Sequence, residues 1–189
     1  MGTIVITENI SLDGVIQDPT GEDGTSFGGW FLQIGDADRA AWADVLVEEA
    51  RTASALLLGR RSDEYFAARW TSRTGEWAER LNSLPKYVVS ATLDKARWNN
   101  GTVLSGDVVK EVTALKQSVD GPIVVNASGR LARTLIEHDL VDELRLIVFP
   151  YVLGGGERLF GDLSAMRTLR RHDVRALGPG LVLLTYHRA

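Results

Sequence analysis

Short apolar runs bounded by turn residues alternate with helical stripes along most of the chain. Thr3–Ile10, Ala55–Leu58, Tyr87–Ser90, Ile123–Asn126, Leu144–Tyr151, Val174–Leu177 and Leu181–His187 read as strands. Between them, Trp42, Val45, Leu46, Ala50 and Ala53 form one apolar stripe along Asp38–Ala53. Val108, Val112, Leu115 and Val119 do the same along Ser105–Val119, and Leu131, Leu135 and Ile136 along Ser128–Asp139. Asp120, Gly121 and Pro122 are the stop signal expected after the second of these helices. Strand–helix alternation through residue 150 predicts an α/β layer structure with a mainly parallel sheet. Gly178, Pro179 and Gly180 separate the last two strands and predict an antiparallel hairpin. One long irregular stretch, Gln17–Ala37, carries Phe27, Trp30 and Phe31 and reads either as a lid or pocket wall or as a packed surface loop.

Composition narrows the field. The 189 residues, 44% hydrophobic, without internal repeat or linker, predict one domain over 1–189. The absence of Cys excludes a disulfide scaffold, a thiol nucleophile and every Cys-based metal site. A formal charge of −4 argues against a nucleic-acid coat. No run approaches the roughly 18 apolar residues of a membrane helix, and Met1–Glu8 has no leader pattern, so a cytoplasmic protein is expected. His138, His172 and His187 are scattered and lack metal-ligand spacing, so no metal is expected.

Three segments run from a strand through glycine into a helix or tight loop, an arrangement that aims backbone N–H groups at an anion. In the first, Gly59 allows a sharp turn, and Arg60, Arg61 and Ser62 stand at the next helix start. Its two readings are a phosphate site or a helix capped by Ser62, with Asp63 and Glu64 opposing any phosphate. In the second, Ser128, Gly129, Arg130 and Leu131 follow a buried strand, as a pyrophosphate cradle or a plain capped helix. The third, Gly154, Gly155 and Gly156, has two readings, close approach of backbone to a flat ligand or a purely structural turn. No acid ends the strand that would hold a ribose 2′-hydroxyl, so a dinucleotide here would carry a 2′-phosphate facing Arg60 and Arg61.

These segments, in this order, resemble the dihydrofolate reductase-like superfamily, and most of all the reductase (C-terminal) domain of bacterial bifunctional riboflavin-biosynthesis enzymes. The matching pieces are Ser11–Gly14, Leu58–Ser62, Lys86–Leu93, Ala127–Leu131, Leu140–Leu144 and Pro150–Gly156 through Phe160. The resemblance implies a three-layer αβα fold and a homodimeric, NADPH-dependent reductase of a small heterocyclic substrate. The named activity it implies is 5-amino-6-(5-phosphoribosylamino)uracil reduction. The alternatives are a dihydrofolate- or pterin-reducing activity and a non-catalytic NADP-binding module. By the same analogy Gly59, Arg60, Arg61 and Ser62 contact cofactor phosphates, Ser90 and Thr92 lie near the 2′-phosphate, and Ser128–Leu131 hold the pyrophosphate. Asp13, with Gly154–Gly156, borders nicotinamide and substrate, and Asp13 is the expected substrate-orienting or catalytic group. Two departures stand out. Ala127 occupies the usual first glycine of its turn, and Ile34–Asp38 lacks the proline run of folate reductases, leaving Asp38 and Asp44 as candidate acids.

Overall fold

A computed structural model describes residues 1–161 and 163–189. Strands β1 (Gly2–Ser11), β2 (Ala55–Gly59), β3 (Lys86–Val89), β4 (Gly101–Leu104), β5 (Gly121–Asn126), β6 (Glu143–Phe149), β7 (Leu169–Leu177) and β8 (Leu181–Arg188) form one sheet. Its order is β4-β3-β2-β5-β1-β6-β8-β7. Pairing is parallel from β4 through β6, whereas β8 runs antiparallel to β6 and to β7. Helices are α1 (Asp36–Thr52), α2 (Arg60–Trp70), α3 (Glu76–Ser83), α4 (Val108–Ser118) and α5 (Gly129–Glu137).

Alternation along β1 sends its apolar side chains into two cores. Ile4, Ile6 and Ile10 pack with Val112 and Leu115 of α4 and with Leu131 and Leu135 of α5. Val5 packs on the other face with Ala50 and with Leu81 of α3, and Phe66 and Trp70 of α2 lean on the same cluster. A third cluster, around Trp30, Val45, Phe149 and Leu183, carries the α1 side over to the antiparallel strands. The layers are therefore α4 and α5, the sheet, then α1, α2 and α3. This is the expected αβα fold.

Several boundaries differ from the sequence pattern for local reasons. The sequence pattern does not announce strand β4, in which Gly101 and Thr102 leave only Val103 and Leu104 as an apolar run, or helix α3, whose eight residues make about two turns. Helix α4 starts at Val108 rather than Ser105, since Asp107 is its N-cap and accepts from the Lys110 amide. Gly121, φ 92°, opens β5 rather than closing α4. Strand β7 begins at Leu169, its polar residues exposed on both faces of an edge strand where no apolar alternation is needed.

The Gln17–Ala37 stretch is organised by one carboxylate. Asp18 accepts from the Asp23 and Thr25 amides and from the Thr25 hydroxyl. Trp30 is buried core, edge-on to Phe149, with its indole N–H on the Gln17 carbonyl. Phe31 packs against Trp42.

Candidate functional site

The carboxyl ends of β1, β2 and β5 meet where the strand order reverses, the place an open α/β sheet keeps for ligands. A cleft of ≈ 1120 Å³ opens there, lined by Thr7, Glu8, Asn9, Gly59–Ser62 and Asn126–Leu131 among others.

One hydroxyl joins two of its turns. Ser128 Oγ accepts from the Gly59 amide at 3.0 Å and donates to Ser62 Oγ at 2.8 Å. It therefore caps no helix, and neither the first turn of α2 nor that of α5 has a side-chain cap. Uncapped amides of two helix starts thus border the same cleft, each carrying the partial positive charge of a helix N-terminus. The geometry that brings them together is strained. Ala127 and Ser128 both sit in the left-handed region, at φ 53° and 66°, where non-glycine residues are disfavoured by about 1 kcal/mol or more each.

The helix after β2 starts at Arg60 with Gly59 as N-cap, so Ser62 lies inside the first turn and is not the cap. Gly59 itself is extended, at φ −80°, so the turn does not demand glycine. Asp63 does not line the cleft; its buried carboxylate accepts from the Arg97 and Trp98 amides at 2.7 and 3.0 Å. Arg61 lies 3.6 Å from Asp23 of the long loop, and Arg60 3.9 Å from Glu64. Gly129 has a packing reason as well, since a Cβ there would meet Ile16 Cδ1 at 2.4 Å.

Other expected residues stand elsewhere. Ser90, Thr92, Asp13 and Gly154–Gly156 do not line this cleft. Ser90 Oγ accepts from the Thr92 and Leu93 amides, stabilising the turn after β3. Asp13 is a clamp. It accepts from the Ser11 hydroxyl at 2.7 Å and from the Leu153 and Gly154 amides at 3.1 and 2.9 Å. These donors hold its carboxyl at about 2, below the ordinary carboxylate range, so it is not a proton donor at neutral pH. The flat group that closely approaches the glycines is the chain's own Phe27. At Gly156, φ 109°, a Cβ would meet Phe27 at 2.7 Å and Val15 at 2.8 Å.

Beyond the expected residues, the cleft has an aromatic end and a polar floor. Phe31, Trp42, Phe66, Trp70 and Trp77 line the α1–α3 side, with Trp42 and Trp70 both edge-on to Trp77. Arg69 and Arg73 line that end too, their guanidinium groups over Tyr65 and Trp70. On the floor, buried Glu49 accepts from the Thr7 hydroxyl, Asn126 Nδ2 and Arg145. Burial raises its carboxyl, and those partners pull against the rise. Glu8 is buried on the opposite face of β1, and desolvation pushes its carboxyl up to about 8. The sequence did carry one signal for this floor. Thr7, Glu8 and Asn9 are three polar residues in a row inside an otherwise apolar strand.

Comparison with known families places this arrangement. The model of the RibD C-terminal domain family matches residues 2–183. The chain belongs to that family. The protein YyaP of Bacillus subtilis is 33% identical over 107 residues, which is 57% of this chain and 56% of that protein. A structure from Shewanella sp. PV-4, assigned provisionally to riboflavin biosynthesis, superposes with a TM-score of 0.72 at 21% identity, covering 99% of both chains. The diaminohydroxyphosphoribosylaminopyrimidine deaminase/5-amino-6-(5-phosphoribosylamino)uracil reductase of Thermotoga maritima gives 0.65 at 14%, covering all of this chain and 57% of that one. Dihydrofolate reductase of Enterococcus faecalis, solved with NADP(H), gives 0.56 at 16%, covering 98% of this chain and 96% of that one. At these identities the three structures show the shared dihydrofolate reductase-like fold. Among the described residues, no helix is long and apolar enough to cross a membrane.

Proposed function

We propose that this RibD C-terminal domain protein is an NADPH-dependent reductase of a small heterocyclic substrate, of the 5-amino-6-(5-phosphoribosylamino)uracil reductase type. The observation that carries the reading is the convergence of two uncapped helix starts on one cleft, stitched by Ser128, with Arg60 and Arg61 beside them. Backbone amides and paired cations are the donor set a dinucleotide pyrophosphate and 2′-phosphate require. NADPH would supply a hydride from its dihydronicotinamide ring.

The chain's part is to bind, orient and exclude water. Ser128 fixes the spacing of the two turns. Arg60 and Arg61, mostly exposed, neutralise the 2′-phosphate, and Arg61 exchanges Asp23 for it. The aromatic end takes the flat acceptor by stacking against Trp42, Trp70 or Trp77, which limits its position and raises the effective concentration of the reacting pair. Arg69 and Arg73 at that end support a phosphorylated acceptor, as the ribosylaminopyrimidine is.

Calorimetric titration with NADPH and NADH tests the cofactor assignment. Arg60→Ala and Arg61→Ala should each weaken NADPH about tenfold or more while changing NADH by less than about twofold, one charge-assisted contact being worth about 1.5–3 kcal/mol. Equal losses for both cofactors would overturn the 2′-phosphate assignment. Failure of the unaltered protein to bind NADPH would overturn the reductase reading itself.

A further inference from the structure

Glu8 lines the cleft at only 6% exposure. Its Oε1 is buried and, among the described residues, meets no hydrogen-bond partner. Buried polar atoms are nearly always paired, so one left open in a ligand cleft points to a partner that arrives from outside. Its surroundings say where. Ile6 and Ile10 belong to the core under α4 and α5, so alternation puts Glu8 on that same face. Thr7 pairs with Asn126 at the end of β5 and Glu8 with Leu146 of β6, which sets Glu8 next to the strand end that runs into the Ala127 turn and α5.

Among the described residues, no neighbouring cation pairs with it. Arg133 of α5 is held by Glu157, and Lys116 of α4 by Asp142. Lys110 and Glu111 stand on the first turn of α4, and Glu111 folds back towards Gly106. Arg130, at the head of α5, lines the same cleft. Arg145 and Glu49 pair on the other face of the sheet. Desolvation keeps Glu8 protonated up to a pH of about 8. A neutral carboxyl offers one O–H donor and one carbonyl acceptor side by side, the complement of an N–H next to a C=O.

We propose that Glu8 is a ligand-recognition residue that pairs, as a carboxylic acid, with an amide-like edge of the molecule in the cleft. This rests on the reductase reading and deepens it. Two sources carry such an edge, the carboxamide of a nicotinamide and the lactam of a pyrimidine-type acceptor.

Binding of NADPH, of 2′-phospho-ADP-ribose (the same cofactor without its nicotinamide) and of 5,6-diaminouracil separates them, measured with Glu8→Met and Glu8→Gln. Glu8→Met removes the hydrogen bonds at similar volume and should weaken the relevant probe by about tenfold. Glu8→Gln keeps a donor and an acceptor and should stay within about twofold of the unaltered protein. The unaltered protein should lose affinity for that probe above a pH of about 8, and Glu8→Gln should not. Loss with NADPH but not with 2′-phospho-ADP-ribose assigns the pairing to the nicotinamide, and loss with 5,6-diaminouracil assigns it to the acceptor. Equal affinities of Glu8→Met and the unaltered protein for every probe bound would overturn the proposal and leave the reductase reading standing. If NADPH does not bind at all, the reductase reading falls and 5,6-diaminouracil alone decides this one, its failure to bind overturning it.

Discussion

Glu8 and Lys86 are both ionisable, both almost fully buried and both shifted towards their neutral forms, yet they sit at opposite ends of the sheet in opposite circumstances. Lys86, at the amino end of β3, donates to the Asn82 and Leu84 carbonyls at 3.0 and 2.9 Å and lies 4.6 Å from the centre of the Trp98 ring. Its charge is used by the fold. Glu8, near the carboxyl end of β1, leaves an oxygen open. In one protein, burial alone therefore does not separate a structural charge from a functional one. The state of satisfaction does, because an unmade buried hydrogen bond is a standing cost to stability while a made one is not.

The largest consequence should appear in stability. Lys86→Met strips the Leu84 carbonyl of its buried donor and should destabilise the protein by about 2–3 kcal/mol in denaturant unfolding. Glu8→Met removes an atom that has no partner and should leave stability unchanged or raise it by about 1 kcal/mol. Comparable destabilisation by both substitutions would erase the contrast.

A second test uses the pH axis. Glu8 ionises at about 8 when folded and at 4.5 when exposed, so the unfolded chain gives up that proton first and stability falls between those values as pH rises. Lys86 behaves oppositely. Its folded value of about 8 lies below the ordinary 10.5, the unfolded chain holds the proton longer, and stability rises across that interval. Subtracting the Glu8→Gln and Lys86→Met curves from that of the unaltered protein should isolate two slopes of opposite sign. Slopes of the same sign, or none, would show that the two groups are not buried in the manner described.

The smallest effect concerns charges at the cleft mouth rather than inside it. Asp23 competes with a phosphate for the exposed Arg61, and such pairs are worth under about 1 kcal/mol. Asp23→Asn should therefore tighten NADPH about two- to fivefold and NADH hardly at all. Unchanged NADPH binding would place Arg61 away from the 2′-phosphate.

The two phosphate-type turns were legible because Gly, Arg and Ser directly after an apolar run say much about local chemistry. Most of the sheet was legible for the same local reason, since Val- and Ile-rich runs announce themselves. What escaped depends on contacts distant in sequence. The aromatic end is assembled from α1, α2, α3 and the long loop, and no single segment contains it. Asp13 reads as an acid near a ligand until three donors, two of them about 140 residues away, are seen to hold it. Ser128 looks like a cap by type and position, and only the fold reveals that its hydroxyl is spent on Gly59 and Ser62.

The fit of Phe27 into the hollow at Gly156, against Val15, also bears on how such a protein can diversify. Neither position is free to vary by itself. A larger residue at 156 meets the ring and Val15 and is strained by the positive φ whatever stands at 27, and a smaller one at 27 leaves the hollow over the glycine unfilled. The glycine run and the long loop are thus locked together by one packing contact although about 130 residues separate them, so truncating Phe27 should loosen a turn far from it in sequence.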